Sequence, residues 1–229
     1  WIPEDVLRAA CIPTPPLEDL KGADLYLGMD LSSTRDLTAL VGIIHDHTDN
    51  RFYTLPWFYF ANNPKRRLRQ GGVNLTHWIR DGHIKQCQTS TIDYDLLYDD
   101  IINLSETFNI MGVAYDPYNS DLIVPRLEDF GINCYKFSQT AAQFNFPLKY
   151  LEKQIHDATI SLGDNPVLAW MFRNIVLYED GNRNIKILKN KSSDSVDGPV
   201  ALGMALGIWI AINLDAEAAN LNAYINKSN

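Results

Sequence analysis

An α/β fold is predicted for this 229-residue chain: a mixed sheet of three antiparallel strands and then parallel strands, with helices on both faces. Two observations predict it. Residues 25–31, 38–47 and 52–60 are three successive runs rich in β-branched and aromatic residues, the composition of strands. After them, apolar runs at 110–115 and 133–137 alternate with segments of helical spacing at 93–108 and 120–130. Strand, helix, strand, helix, strand calls for parallel pairing through right-handed crossovers.

The elements follow in order. Residues 1–22 hold Pro3, Pro13, Pro15 and Pro16, which suits a linker from a preceding domain with one short helix at 4–10. The polar string His45-Asp46-His47-Thr48-Asp49-Asn50 is the tip of a hairpin. Segments 62–69 and 74–81 are expected to be partly helical, split by Gly71-Gly72. In 93–108, apolar residues at 96, 97, 101, 104 and 108 lie on one helical face. Gly131 closes the helix at 120–130. Residues 141–160 read as mixed helix and loop, and 166–174 as a helix. Glu179-Asp180-Gly181-Asn182 marks a hairpin between 174–178 and 184–188. The run 196–214 is the closing helix, and 215–229 is a polar, flexible tail. The organisation expected is therefore a linker (1–22), one domain (23–214) and a tail. This is the ribonuclease H-like plan.

Composition narrows the function. At 46% hydrophobic residues the chain can bury a core. Cys11, Cys87 and Cys134 are odd in number and form no C-x-x-C, so reduced thiols are expected and a zinc site is not. A net charge of −8 argues against a free-standing DNA-binding module, whose affinity would rest on Lys and Arg. It leaves room for an enzyme that meets phosphate through metal ions. The longest apolar run, 200–214, is shorter than the ~20 residues of a membrane span. A soluble, cytoplasmic protein without membrane contact is expected. The chain opens on Trp1 rather than Met, as a piece of a longer protein would.

Three aspartates carry the candidate chemistry. Asp30 ends Leu25-Tyr26-Leu27-Gly28-Met29-Asp30, Asp116 ends Met111-Gly112-Val113-Ala114-Tyr115-Asp116, and Asp197 stands where the closing helix begins. In open α/β sheets sites gather at the carboxyl ends of strands. Carboxylates brought together there can hold Mg²⁺, a hard cation with a preference for oxygen. Each has a plainer alternative. Asp30 and Asp36 can cap the ends of one turn, Asp116 can be an ordinary strand-to-helix aspartate before Pro117, and Asp194 or Asp197 can be a helix N-cap. Asp194, three residues before Asp197, is a supporting ligand candidate. Lys189 and Lys191 are candidates for phosphate contact beside a solvated alternative. Lys65, Arg66, Arg67 and Arg69 form the one dense basic run, either tracking a phosphate backbone or facing water. His45 and His47 are best explained as surface residues of the hairpin tip.

Leu27-Gly28-Met29-Asp30-Leu31-Ser32-Ser33-Thr34-Arg35-Asp36-Leu37-Thr38-Ala39 resembles the first nuclease motif of tailed-bacteriophage terminase large subunits. Val113-Ala114-Tyr115-Asp116-Pro117 resembles the second. Asn165 to Met171, Asn174-Ile175-Val176 and the string from Asp197 to Gly207 resemble the C-terminal signature of that family. One departure is visible: Ser195-Val196-Asp197-Gly198 stands where a Lys-Ile-Asp-Gly-like string is expected, so a basic residue is missing there and Lys189 or Lys191 is its candidate substitute.

The resemblance implies the C-terminal endonuclease domain of such a subunit, cutting concatemeric double-stranded viral DNA during packaging in the host cytoplasm. Asp30, Asp116 and Asp197, helped by Asp194, would hold two Mg²⁺ or Mn²⁺ ions. The partners implied are an N-terminal ATPase domain of the same protein, the portal and the small terminase subunit. Two rivals are an actin-like or sugar-kinase phosphate site, suggested by Gly28-Met29-Asp30-Leu31-Ser32-Ser33-Thr34, and a non-catalytic portal-docking module.

Overall fold

The computed structural model describes residues 1–31, 37–62, 69–70, 73–118, 120–192, 194–214 and 226–227. The chain begins with helix α1 (Glu4–Ala10) and a 3-10 turn (Leu17–Leu20), then enters strands β1 (Asp24–Asp30), β2 (Thr38–Asp46) and β3 (Arg51–Phe60). Two-residue strands β4 (Arg69–Gln70) and β5 (Val73–Asn74) precede helix α2 (Leu75–Arg80) and strand β6 (Lys85–Gln86). Next come α3 (Tyr94–Thr107), β7 (Asn109–Tyr115), α4 (Val124–Asp129) and β8 (Cys134–Lys136). The last part holds α5 (Ala141–His156), β9 (Ile160–Ser161), α6 (Pro166–Arg173), the hairpin β10 (Leu177–Glu179) and β11 (Ile185–Ile187), α7 (Asp197–Asn213) and β12 (Asn226–Lys227).

The main sheet runs β12-β8-β7-β1-β2-β3-β6, with β9 also paired to β3. β1, β2 and β3 pair antiparallel, while β1–β7 and β7–β8 pair parallel. This is the mixed sheet expected.

Alternation along β1 divides its side chains between two cores. Leu25, Leu27 and Met29 enter the cluster beneath α3 and α4, with Leu97, Ile101 and Leu127. Tyr26 enters the opposite cluster, with α5, α6 and α7. Gly28 and Asp30 share that side by the same period. The approach of β1 to α7 requires glycine: a Cβ at Gly28 would lie 1.9 Å from the Ala201 carbonyl oxygen. Every residue from Asp197 to Ala211 is buried. A helix apolar all round belongs inside a protein, and here the sheet lies on one side of α7 and α5 and α6 on the other.

Several segments differ from expectation. In the polar stretch 62–81 only Leu75–Arg80 is described as helix, while Arg69–Gln70 pairs with Val73–Asn74 as strand. Residues 141–160 are mostly one 16-residue helix, with Pro147 inside it. Thr140 caps it by accepting from Gln143 N at 3.3 Å, and Phe144, Leu148, Leu151 and Ile155 form its buried stripe. That apolar face offsets the lost proline hydrogen bond. Residues 1–22 lie against the domain: Leu7 and Ala10 are buried, and Ala10 O accepts from Leu162 N at 2.8 Å. Glu4 takes a two-pronged contact from Arg173 at 2.8 and 2.9 Å. Of the tail, 226–227 pair antiparallel with β8, and 215–225 and 228–229 lie outside the described residues.

Candidate functional site

Asp30 ends β1 on the α7 side and is 2% exposed. A carboxylate that deep needs compensation. Lys189, in the turn after β11, supplies it: its Nζ is 2.6 Å from each Asp30 oxygen. Only Oδ1 receives the ammonium at hydrogen-bonding angles, and Oδ1 also accepts from Gln139 Nε2 at 3.2 Å. Oδ2 is buried and accepts no hydrogen bond. Burial is the largest influence on Asp30 and pushes its pKa above the ordinary carboxylate value. Lys189 and Gln139 oppose the rise, and the charge of Asp116 adds to it.

Asp116 follows β7 directly and continues the side of the strand that Ala114 presents to α7. Its Oδ1 accepts from Tyr118 N at 2.9 Å, which shapes the turn at Pro117. This is the plain turn role weighed for it, and it leaves the carboxylate half-buried beside the strand ends. Asp197 is the first residue of α7 and is 7% exposed. It is not the N-cap: Val196 holds that position and makes no side-chain cap. A carboxylate in the first helical turn is favoured by the helix dipole. Asp194 is half-buried, and its Oδ1 accepts from Ser195 N at 2.9 Å.

Lys189 gathers these carboxylates electrostatically. Burial of its ammonium is the largest influence and pulls its pKa down. Attraction to Asp30, Asp197 and Asp116 outweighs that and leaves it above the ordinary lysine value. Lys189, Ser192, Asp194, Ser195, Val196 and Asp197 line a cavity of about 230 Å³. Among the described residues no three His, Cys, Asp or Glu side chains are already arranged to hold a metal ion. Carboxylates without counter-charge repel, and among the described residues Lys189 supplies counter-charge to Asp30.

The donor chemistry nevertheless suits a hard divalent cation: carboxylate oxygens at strand ends, one of them a buried oxygen whose near partner is a cation, the Lys189 ammonium. Lys191 is exposed in the same turn. Lys65, Arg66 and Arg67, with residues 32–36, lie outside the described residues, and so does the side chain of Arg69. His45 and His47 lie at the end of β2 and the start of the turn after it, and His45 is half-buried. The rings meet edge to face at 4.5 Å, and His45 stacks on Phe52 at 4.4 Å. Gln139 was not singled out from sequence. It lies three residues past β8, so the strand-end rule that marks Asp30 and Asp116 would also have marked it.

Among the described residues no helix is long and apolar enough to cross a membrane. Comparison with known proteins agrees with the fold. The chain is 26% identical over 185 residues to the "Terminase, large subunit" of Enterobacteria phage HK97, covering 80% of this chain and 36% of that protein. It is 22% identical over 201 residues to "Protein YmfN" of Escherichia coli (strain K12), covering 83% and 44%. The chain thus spans less than half the length of these relatives. The crystal structure of the HK97 bacteriophage large terminase superposes with a TM-score of 0.79 at 24% identity, over 90% of this chain and 43% of that one. The large terminase nuclease from thermophilic phage G20c gives 0.54 at 12% identity, over 87% and 94%. A G20c structure with bound magnesium gives 0.53, also at 12% identity, over 88% and 94%. Residues 4–213 match the family described as "Terminase large subunit, endonuclease domain", and the chain belongs to that family.

Proposed function

We propose that this chain is a divalent-metal-dependent endodeoxyribonuclease that cuts concatemeric double-stranded viral DNA during genome packaging. The observation that carries the proposal is the buried Asp30, placed by β1 and facing the turn that leads to Asp197. Family membership supports it, and so does the related phage nuclease that was solved with magnesium.

In this proposal Asp30, Asp116 and Asp197, helped by Asp194, would hold two Mg²⁺ or Mn²⁺ ions. When bound, such ions activate water and stabilise the leaving oxygen of a phosphodiester. The residues of the chain do the positioning. β1 and β7 fix two carboxylates at neighbouring strand ends. The first turn of α7 fixes the third, with the helix dipole favouring its charge. Gln139 orients Asp30 through Oδ1. Lys189 and Lys191 are candidates for contact with the substrate phosphates, as are Lys65, Arg66, Arg67 and Arg69.

Acting in the host cytoplasm as the C-terminal domain of a longer packaging protein also belongs to the proposal. There, a companion ATPase domain, the portal and the small terminase subunit would bring DNA to an acidic domain that binds it weakly alone. The test is nicking of supercoiled plasmid with Mn²⁺ by wild type and by Asp30→Asn, Asp116→Asn and Asp197→Asn. Wild-type cleavage lost in each variant is expected. Cleavage that survives Asp30→Asn would overturn the assignment.

A further inference from the structure

The contact between Lys189 and Asp30 is built differently from an ordinary surface ion pair. The Asp30 side chain is 3% exposed, whereas the Lys189 side chain is 39% exposed. The Lys189 side chain is thus partly open to solvent while its ammonium end sits against buried oxygens. The backbone around it is held: Leu188 O accepts from Lys191 N at 3.2 Å, from Ser192 N at 2.9 Å and from Ser192 Oγ at 2.7 Å. A lysine on a fixed turn with a flexible four-carbon stem can move its charge without moving the fold. Room for that charge lies beside it, in the polar cavity that Lys189 shares with Ser192, Asp194, Ser195 and Asp197. On the far side, Gln139 Nε2 keeps its own hold on Asp30 Oδ1 at 3.2 Å. The carboxylate would stay oriented if the ammonium left, because the Gln139 contact is on Oδ1, while the near partner of Oδ2 is the Lys189 ammonium itself at 2.6 Å.

We propose that Lys189 is an exchangeable internal cation. Its ammonium neutralises Asp30 before metal arrives and competes with metal for the same oxygens, then swings into the adjoining cavity when Asp30 becomes a ligand. Lys189 is in this sense a positioning residue, and Gln139 keeps Asp30 aligned through the exchange. The inference rests on the assignment of Asp30 as a metal ligand.

A structural lysine and an exchangeable one predict opposite effects on metal binding. Removing a structural lysine weakens metal binding or leaves it unchanged. Removing a competitor strengthens it, while the metal-free protein loses stability because a buried carboxylate is left alone. The experiment is thermal melting of the 229-residue chain across a Mn²⁺ titration, for wild type, Lys189→Met, Lys189→Arg and Asp30→Asn. Lys189→Met is expected to melt lower than wild type without metal and to reach half its Mn²⁺-induced rise at about tenfold lower Mn²⁺. Lys189→Arg is expected to stay near wild type in both respects.

An unchanged or higher Mn²⁺ midpoint in Lys189→Met would overturn the inference. If wild type responds to Mn²⁺ and Asp30→Asn does not, such a result removes the lysine inference alone. If neither wild type nor Lys189→Met responds, or if Asp30→Asn responds as wild type does, the metal assignment of Asp30 fails and the inference with it. Should Lys189→Met not fold by itself, recovery on refolding with Mn²⁺ is the expected result, and no recovery would count against the exchange.

Discussion

The two faces of the central sheet are built on opposite terms. On one face α7 is buried from Asp197 to Ala211 and touches β1 so closely that Gly28 has no room for a side chain. On the other, α3 and α4 bury one stripe each and turn the rest to water, with Asp99, Asp121 and Asp129 exposed. Between residues 88 and 135 there are eight acidic residues besides Asp116 of the site, and one base, Arg126. The difference comes from layering. α7 is covered by α5 and α6 and needs apolar contact all round, while α3 and α4 are themselves the outer layer. The covered face supplies Asp197 and the packing around it, and the open face supplies negative charge.

Substitutions can break or sharpen this contrast. The largest effect is expected at Gly28→Val. Its Cβ would meet the Ala201 carbonyl at 1.9 Å and Ala205 N at 2.8 Å, both backbone atoms that cannot move aside. A loss of about 3 kcal/mol or more in urea unfolding is expected. Paired truncations come next, because Leu202 on α7 and Leu97 on α3 are both fully buried. Leu202→Ala should cost about 4 kcal/mol and Leu97→Ala about 3 kcal/mol, since the doubly covered site has less freedom to collapse. Equal costs would show that the second layer adds nothing to packing.

A pH effect sharpens the contrast at the far end of α7. His45 lies 5.2 Å from Trp209 and on Phe52, and its Nδ1 is buried without a hydrogen bond. Burial is the main cause of its lowered pKa, and the contact with Asn50 opposes it. A depressed histidine pKa means that the fold prefers the neutral ring. The stability it provides is present above the unfolded value of about 6.5, and falls with pH through the folded value. Melting temperature should fall as pH drops below about 6.5, and His45→Gln should flatten that slope. A slope unchanged by the substitution would exclude His45 as its source.

The smallest effects belong to the open face. Asp99→Lys with Asp129→Lys should change stability by about 0.5 kcal/mol or less, yet strengthen DNA binding at low salt in a filter or fluorescence assay. Unaltered DNA binding would show that the duplex never senses this face.

How far the sequence was legible depends on how local each signal is. The antiparallel runs and the parallel crossovers are visible because strand length, alternation and turn residues are written in neighbouring positions. Asp30 and Asp116 are visible because each ends an apolar run. Residues 141–160 read as mixed helix and loop from their aromatic and Lys/Gln content, and the buried stripe from Phe144 to Ile155 makes most of them one helix in spite of Pro147. The N-cap alternative for Asp197 was reasonable by residue type, and it failed because Val196 occupies the cap. Residues 1–22 have the proline content of a linker, yet Leu7, Ala10 and Leu20 are buried in the domain.

By itself the sequence determined the mixed-sheet plan, the strand ends that carry carboxylates, and a closing helix too apolar to sit anywhere but inside. The tertiary structure decided which groups meet those carboxylates. Lys189 reaches Asp30 across 159 positions of chain and Gln139 across 109. No local periodicity records such a pairing. It arises because the sheet, α7 and the turn after β11 close around a buried charge, and a buried charge must be answered by whatever the fold brings within reach.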